Sequence, residues 1–151
     1  MLDLDADHFN AFFHALWGFD PFPWQTALAE RVLTRDDAPW PEAIAVPTAS
    51  GKTACIDIAI FALAAASGRP GGPGVAPRRI WFVVDRRVIV DAVYERALQL
   101  ARKLDEAKDG VVYEVADRLR KLGDSDKQGG RALTAHLLRG GVYRDDAWAR
   151  S

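Results

Sequence analysis

The chain has 151 residues, a length typical of one domain, and 49% of them are hydrophobic while 27% are charged. This composition indicates a globular protein and excludes a disordered one. The formal net charge of −1 excludes a uniformly basic nucleic-acid-binding surface but not a local basic patch. A single cysteine, Cys55, excludes an internal disulfide framework, so we expect a cytoplasmic protein.

No membrane segment is expected in this sequence. Residues 1–7 are acidic, whereas a secretory signal carries positive charges before its apolar stretch. The longest uninterrupted apolar run, Ile58–Ala66, is much shorter than the about 20 residues that span a bilayer. We therefore expect no membrane partner.

Two helices are predicted before residue 42. The first has apolar residues at helical spacing and a glycine, Gly18, suited to its C-terminal end; the apolar positions are Phe9, Phe12, Phe13 and Leu16. A stiff turn with two prolines follows, and helical spacing returns over residues 25–33. We interpret 1–42 as an N-terminal helical segment.

Strands and helices alternate in the rest of the sequence. Apolar runs at 43–46, 79–84 and 132–138 predict strands, and the second is typical of a strand buried on both faces. Helical patterns lie between them, at 52–66, 88–104 and 112–122. This order predicts an α/β fold with a mainly parallel sheet flanked by helices.

The most specific motif is a loop between the first predicted strand and the next predicted helix. It runs Val46-Pro47-Thr48-Ala49-Ser50-Gly51-Lys52-Thr53, and its small residues allow successive backbone N–H groups to bind phosphate oxygens. We expect catalytic roles for Lys52 at the β- and γ-phosphates of ATP and for Thr53 as a ligand of Mg²⁺. Val46 replaces the usual first glycine, and the alternative is a chance Gly-Lys-Thr at a helix start.

The segment Pro47–Thr53 resembles motif I of superfamily 2 helicases, in which glycine is common where this chain has Ala49. In that family a glutamine follows an aromatic, proline-rich turn, as Gln25 follows residues 21–24 here. Its amide has the donor and acceptor that fit the edge of adenine. The resemblance implies that 43–151 is the first part of a RecA-like P-loop NTPase lobe. The alternative for Gln25 is an exposed residue at a helix start.

The resemblance extends to two further motifs. Arg86 and Arg87 occupy the place of motif Ia, which contacts the backbone of single-stranded nucleic acid in that family. Gly140 and Gly141 resemble the Gly-Gly motif that follows the third strand. The resemblance implies nucleic-acid contacts at these four residues. The alternative for Arg87 is a pair with Asp91 one helical turn later.

In combination, these motifs are similar to the helicase part of the CRISPR-associated helicase–nuclease of type I systems, in particular subtype I-U or I-G. The resemblance implies an ATP-dependent DNA helicase of CRISPR interference that uses ATP and Mg²⁺. It also implies two partners, single-stranded DNA and a Cascade-type effector complex.

The sequence lacks a convincing acidic pair for the metal. Asp105 and Glu106 follow an amphipathic helix and precede the Gly-Gly motif, unlike the acidic box of the helicases. We therefore expect an N-terminal fragment of the motor without ATPase activity of its own. One alternative is a non-catalytic nucleotide- or partner-binding module. A small phosphotransferase is disfavoured by Val46.

Overall fold

A computed structural model describes residues 3–35, 39–47, 49–67, 78–84, 86–123 and 130–138. Five α-helices lie within these ranges: α1 Ala6–Trp17, α2 Pro23–Thr34, α3 Cys55–Ser67, α4 Arg87–Glu106 and α5 Gly110–Leu122. A 3-10 turn, Lys52–Ala54, continues directly into α3, so that the helical run is 52–67.

The predicted α/β fold with a partial RecA-like sheet is wrong for these residues, in which the structure has helices but no β-strand. The segments 43–46, 79–84 and 132–138 are irregular. Apolar runs signal a tendency to be buried, but a strand also requires a neighbouring strand that completes its hydrogen-bond ladder. The segment 79–84 has the apolar pattern of a buried strand, but Trp81 and Val83 are 59% and 84% exposed.

Helix α1 begins and ends where local chemistry dictates. Asp5 is its N-cap, and one carboxylate oxygen accepts a hydrogen bond from the His8 N–H at 3.0 Å. Gly18 ends the helix in the left-handed conformation, with its N–H donating to the His14 carbonyl at 2.7 Å. The prediction of this helix and of its end at Gly18 is confirmed.

Helix α2 begins two residues before the predicted 25–33 pattern. Phe22 is the N-cap, and Pro23 occupies the first helical position, where its missing N–H costs nothing. The Gln25 side-chain oxygen accepts a hydrogen bond from the Phe22 N–H at 2.8 Å, which satisfies a donor at the helix start. Capping, rather than apolar spacing, therefore sets where α2 begins.

Helix α3 is at the centre of the core. It packs against α1, α2 and α5, and its residues from Ile56 to Ala65 are buried with one half-buried exception, Ala59. The Phe61 ring lies 5.6 Å from Phe9 and 5.4 Å from Phe12, measured between centroids. The prediction that this helix is buried almost all round is confirmed.

The predicted amphipathic helices α4 and α5 are also confirmed, with one difference. Val93, Leu100 and Leu104 of the predicted α4 stripe are buried, but Ile89 is 42% exposed. The buried stripe therefore begins one turn later than the spacing predicts.

Across the described ranges, the structure contains no helix with the length and hydropathy that a membrane span requires.

A buried polar junction joins α1, α3 and α4. The Asp57 carboxylate of α3 is fully buried and accepts hydrogen bonds from Trp17 Nε1 at 2.9 Å and from Arg96 Nη2 at 2.8 Å. The Arg96 guanidinium also lies 3.8 Å from the Trp17 ring centroid. Burial raises the pKa of Asp57, while Arg96 and Trp17 act in the opposite direction.

Candidate functional site

The loop before α3 has an unusual backbone. Ala49 and Gly51 adopt positive φ values of 61° and 74°. Such angles disfavour residues with a Cβ, so the conformation at Ala49 is strained, and strain of this kind clusters at binding sites. The Ser50 hydroxyl donates to the Pro47 carbonyl at 2.5 Å and closes the loop on itself. Thr48 lies outside the described residues.

The first turn of α2 holds this loop from one side. Trp24 Nε1 donates to the Ser50 carbonyl at 2.9 Å, and Gln25 Nε2 donates to the Gly51 carbonyl at 2.9 Å. A Cβ at position 51 would lie 2.7 Å from Gln25 Nε2 and 3.3 Å from the Phe22 ring. A Cβ at position 51 would therefore displace the Gln25 amide that bonds the loop, in addition to the strain that the positive φ imposes.

These two contacts orient backbone donors. In a trans peptide unit the N–H points away from the C=O, so a carbonyl turned toward α2 turns the following amide to the opposite side. The amides of Gly51 and Lys52 therefore point away from α2. With the amide of Thr53, they lie at the start of the helical run 52–67, where N–H groups have no acceptor within the helix. Such a cluster of donors favours an anion.

The Lys52 ammonium adds a full positive charge to the same loop. Its side chain is exposed, and Nζ donates to the Pro47 carbonyl at 2.8 Å, so that it folds back over the loop. Thr53 is half-buried in the first helical turn. The structure thus places the described motif residues in one loop and the first helical turn, and their binding of ATP and Mg²⁺ stays a prediction.

The structure overturns one of the two interpretations of Gln25. It is only 2% exposed, so the alternative of an exposed residue at a helix start is wrong. Its oxygen bonds Phe22 and its nitrogen bonds Gly51, which leaves one N–H and one lone pair for a further partner. The contact with adenine stays a prediction. What the structure adds is that Gln25 supports the loop.

The predicted nucleic-acid residues lie partly within the described ranges. Arg86 and Arg87 are exposed at the N-terminal end of α4, where free amide groups also favour phosphate. Gly140 and Gly141 lie outside the described residues. The contact of these four residues with single-stranded DNA stays a prediction.

The Asp105-Glu106 pair lies in the last turn of α4, which extends two residues beyond the predicted 88–104. The Asp105 carboxylate lies 3.7 Å from Arg120 Nη2 and accepts a hydrogen bond from the Ala132 N–H at 3.3 Å. Among the residues that the structure describes, no group of three or more His, Cys, Asp or Glu side chains is placed to hold a metal ion. The role of Thr53 as a metal ligand therefore stays a prediction from its position in the motif.

Sequence reasoning missed the hydrogen bond from Trp24 to the loop. The available signal was its place beside Gln25 in the first turn of α2, but contact with Ser50 depends on how α2 and α3 pack.

No family model, curated protein or solved structure matches the chain. The assignment of the site therefore depends on the loop geometry and on the motif itself.

Proposed function

We propose that the chain binds ATP, with Mg²⁺, through the loop Pro47–Thr53. The observation that carries the proposal is the paired attachment of the Ser50 and Gly51 carbonyls to α2. This attachment turns two consecutive amides to the other side of the loop, beside the lysine that the motif requires. A triphosphate complements the amides, the helix N-terminus and the lysine charge.

Each loop residue has a role in this proposal. The amides of Gly51, Lys52 and Thr53 bind phosphate oxygens, and Lys52 neutralises the β- and γ-phosphates. The Thr53 hydroxyl is the proposed Mg²⁺ ligand. The backbone of Pro47, Ala49 and Ser50 forms the rest of the described loop, and Thr48 belongs to the proposed site on its motif position alone. Because Nζ of Lys52 bonds the Pro47 carbonyl, an incoming phosphate has to displace that contact.

The wider proposal is that this ATP-binding loop serves an ATP-dependent DNA helicase of CRISPR interference. Its support is the motif resemblance and the exposed pair Arg86 and Arg87 at the start of α4. Arginine beside free amides at a helix start is suited to the phosphates of single-stranded DNA. A Cascade-type effector complex as partner is proposed on the resemblance alone.

A second candidate is a non-catalytic nucleotide-binding module. It is favoured by the engagement of the Asp105 carboxylate with Arg120 and the Ala132 amide. We expect the purified chain to bind ATP without releasing phosphate under either proposal, because the transferring phosphoryl group also needs a positioned carboxylate and further positive charge. Release that is stimulated by single-stranded DNA and lost in Lys52→Ala would contradict the second candidate.

The first test is the Lys52→Ala substitution, measured by calorimetric titration with Mg-ATP. Hydrogen bonds with charged groups contribute about 1.5–3 kcal/mol, so we expect an affinity loss of roughly 10- to 100-fold. Lys121→Ala is the control, because Lys121 is an exposed lysine paired with Asp117 on α5. Equal affinity in Lys52→Ala and the native chain would refute the phosphate-binding loop.

The second test concerns DNA and uses Arg87→Ala. Losing one phosphate contact lowers the slope of log affinity against log salt by about 0.7 for a single strand. We expect this change with single-stranded DNA and no change in ATP affinity. Arg102→Ala, also exposed on α4, is the control. The same slope change in both variants would show that only net charge matters, and an unchanged slope in Arg87→Ala would remove Arg87 from the interface.

A further inference from the structure

We infer that Trp24 is a positioning residue of the phosphate-binding loop. Its indole N–H holds the Ser50 carbonyl and thereby directs the Gly51 amide toward a bound phosphate. The inference rests on the proposed ATP-binding function and adds a residue outside the motif to that site.

The geometry that supports this role begins with the bond itself. Trp24 Nε1 lies 2.9 Å from the Ser50 carbonyl oxygen, and Trp24 is half-buried in the first turn of α2. Since the peptide unit between Ser50 and Gly51 is planar and trans, fixing its carbonyl fixes the direction of the Gly51 N–H. One side-chain donor thus sets the direction of one backbone donor.

The neighbouring peptide unit repeats the arrangement, with Gln25 Nε2 bonded to the Gly51 carbonyl. Two consecutive carbonyls face the same helix because Gly51 is left-handed, with φ 74° and ψ 33°. In helical conformations of either hand successive carbonyls run in nearly the same direction, whereas in extended chain they alternate. The left-handed Gly51 and the two donors of α2 therefore orient the adjacent amides of Gly51 and Lys52 to the same side of the loop.

Two other roles for Trp24 make different predictions. If the indole stacked on adenine, its loss would lower the affinity for ATP but not the affinity for a ligand without a base. If the indole only stabilised the fold, removing its N–H would have the same effect on binding as removing that of another half-buried, hydrogen-bonded tryptophan. Trp17 provides that comparison, because its Nε1 donates at 2.9 Å to Asp57, away from the loop carbonyls.

The experiment measures the affinity of the full chain for Mg-ATP and for inorganic tripolyphosphate. Trp24→Phe keeps an aromatic ring but removes the N–H donor, and Trp17→Phe removes the matched donor. We expect Trp24→Phe to weaken both ligands by the same factor, roughly three- to tenfold for one lost hydrogen bond, and Trp17→Phe to leave both affinities unchanged. Benzothienylalanine at position 24 removes the N–H while keeping the ring size, and it is expected to reproduce Trp24→Phe.

Three outcomes of the binding measurement would overturn the inference. A loss for ATP alone would assign Trp24 to the base. An equal loss in Trp17→Phe would assign the effect to general stability. Unchanged affinities in both position-24 variants would show that the hydrogen bond does not position the loop.

A ligand-free measurement separates this inference from the proposed function. Backbone ¹⁵N order parameters of Gly51 and Lys52 are expected to fall in Trp24→Phe and to stay at native values in Trp17→Phe. If the native chain binds neither ligand, the ATP-binding proposal fails and the inference about a phosphate fails with it. The order parameters then still decide whether Trp24 orders the loop, and unchanged values would exclude that ordering as well.

Discussion

Replacing Arg96 with methionine is expected to destabilise the protein strongly, because it leaves the buried Asp57 carboxylate without its cation. Asp57 is fully buried, and within the part of the chain that the structure describes its carboxylate pairs with the Arg96 guanidinium at 2.8 Å. Methionine keeps an unbranched apolar stem of similar length but removes the guanidinium. The Trp17 N–H still donates to the carboxylate.

The magnitude follows from burial. Breaking a buried ion pair by removing one partner costs about 3–5 kcal/mol. The Arg96 side chain is 23% exposed, so water partly replaces the guanidinium and the lower end of that range applies. We expect Arg96→Met to lower the free energy of unfolding by about 3 kcal/mol near neutral pH. That loss is a large part of the free energy of unfolding of an ordinary domain, which is about 5–15 kcal/mol.

The loss also depends on pH. Burial raises the pKa of Asp57 above its usual 3.8, so the folded state binds the proton more tightly than the unfolded state does. Stability contributed by such a group falls as pH rises from 3.8 through the folded pKa. Because Arg96 lowers the pKa of Asp57, this pKa is higher in Arg96→Met than in the native chain. The difference between native chain and variant is therefore largest near neutral pH and shrinks on acidification.

The assay is urea unfolding, followed by circular dichroism near pH 7 and near pH 5. The double variant Asp57→Asn/Arg96→Met is expected to regain much of the lost stability, because no buried charge remains and the asparagine oxygen still accepts from Trp17. Arg102→Met, on the exposed side of α4, controls for the loss of an arginine. A loss below about 1 kcal/mol that is equal at both pH values would refute the reasoning.

Two further predictions concern helix ends and the loop. Asp5→Ala is expected to cost about 1 kcal/mol in urea unfolding near pH 7, because it removes the α1 cap. The His8 backbone N–H lowers the pKa of Asp5, so this contribution is present above pH 3.8 and is lost as pH falls through the folded pKa. An Asp5→Ala effect that persists at pH 2 would contradict this account. Gly51→Ala is expected to cost more stability than Gly18→Ala and to weaken Mg-ATP binding. Both glycines have positive φ, but only at position 51 does the new Cβ come within 2.7 Å of Gln25 Nε2. Equal costs and unchanged ATP affinity would show that the loop has room for a side chain.

The site was predicted from sequence only in part. The segment Pro47–Thr53 predicted a loop at a helix start, and the structure places Ser50, Gly51 and Lys52 there. The contact of Gln25 with adenine stays a prediction, and the sequence did not predict that this side chain is buried and bonded to Gly51. An amide side chain offers several donors and acceptors, and the packing of neighbouring helices decides which of them are used.

The helices were determined by the sequence itself, because their signals are local. Asp5, Gly18 and Pro23 act on backbone groups within about one turn, and apolar spacing of 3.6 residues identifies the face that is buried. Strand pairing is not local, so the apolar segments 43–46, 79–84 and 132–138 were wrongly predicted as strands. Only the tertiary structure decided the contacts of Trp24 with Ser50 and of Asp57 with Arg96, which join residues 26 and 39 positions apart. Trp24 reaches Ser50 because α2 packs against α3, and Arg96 reaches Asp57 because α4 packs against α5, which itself packs against α3. No periodicity within one segment specifies that packing.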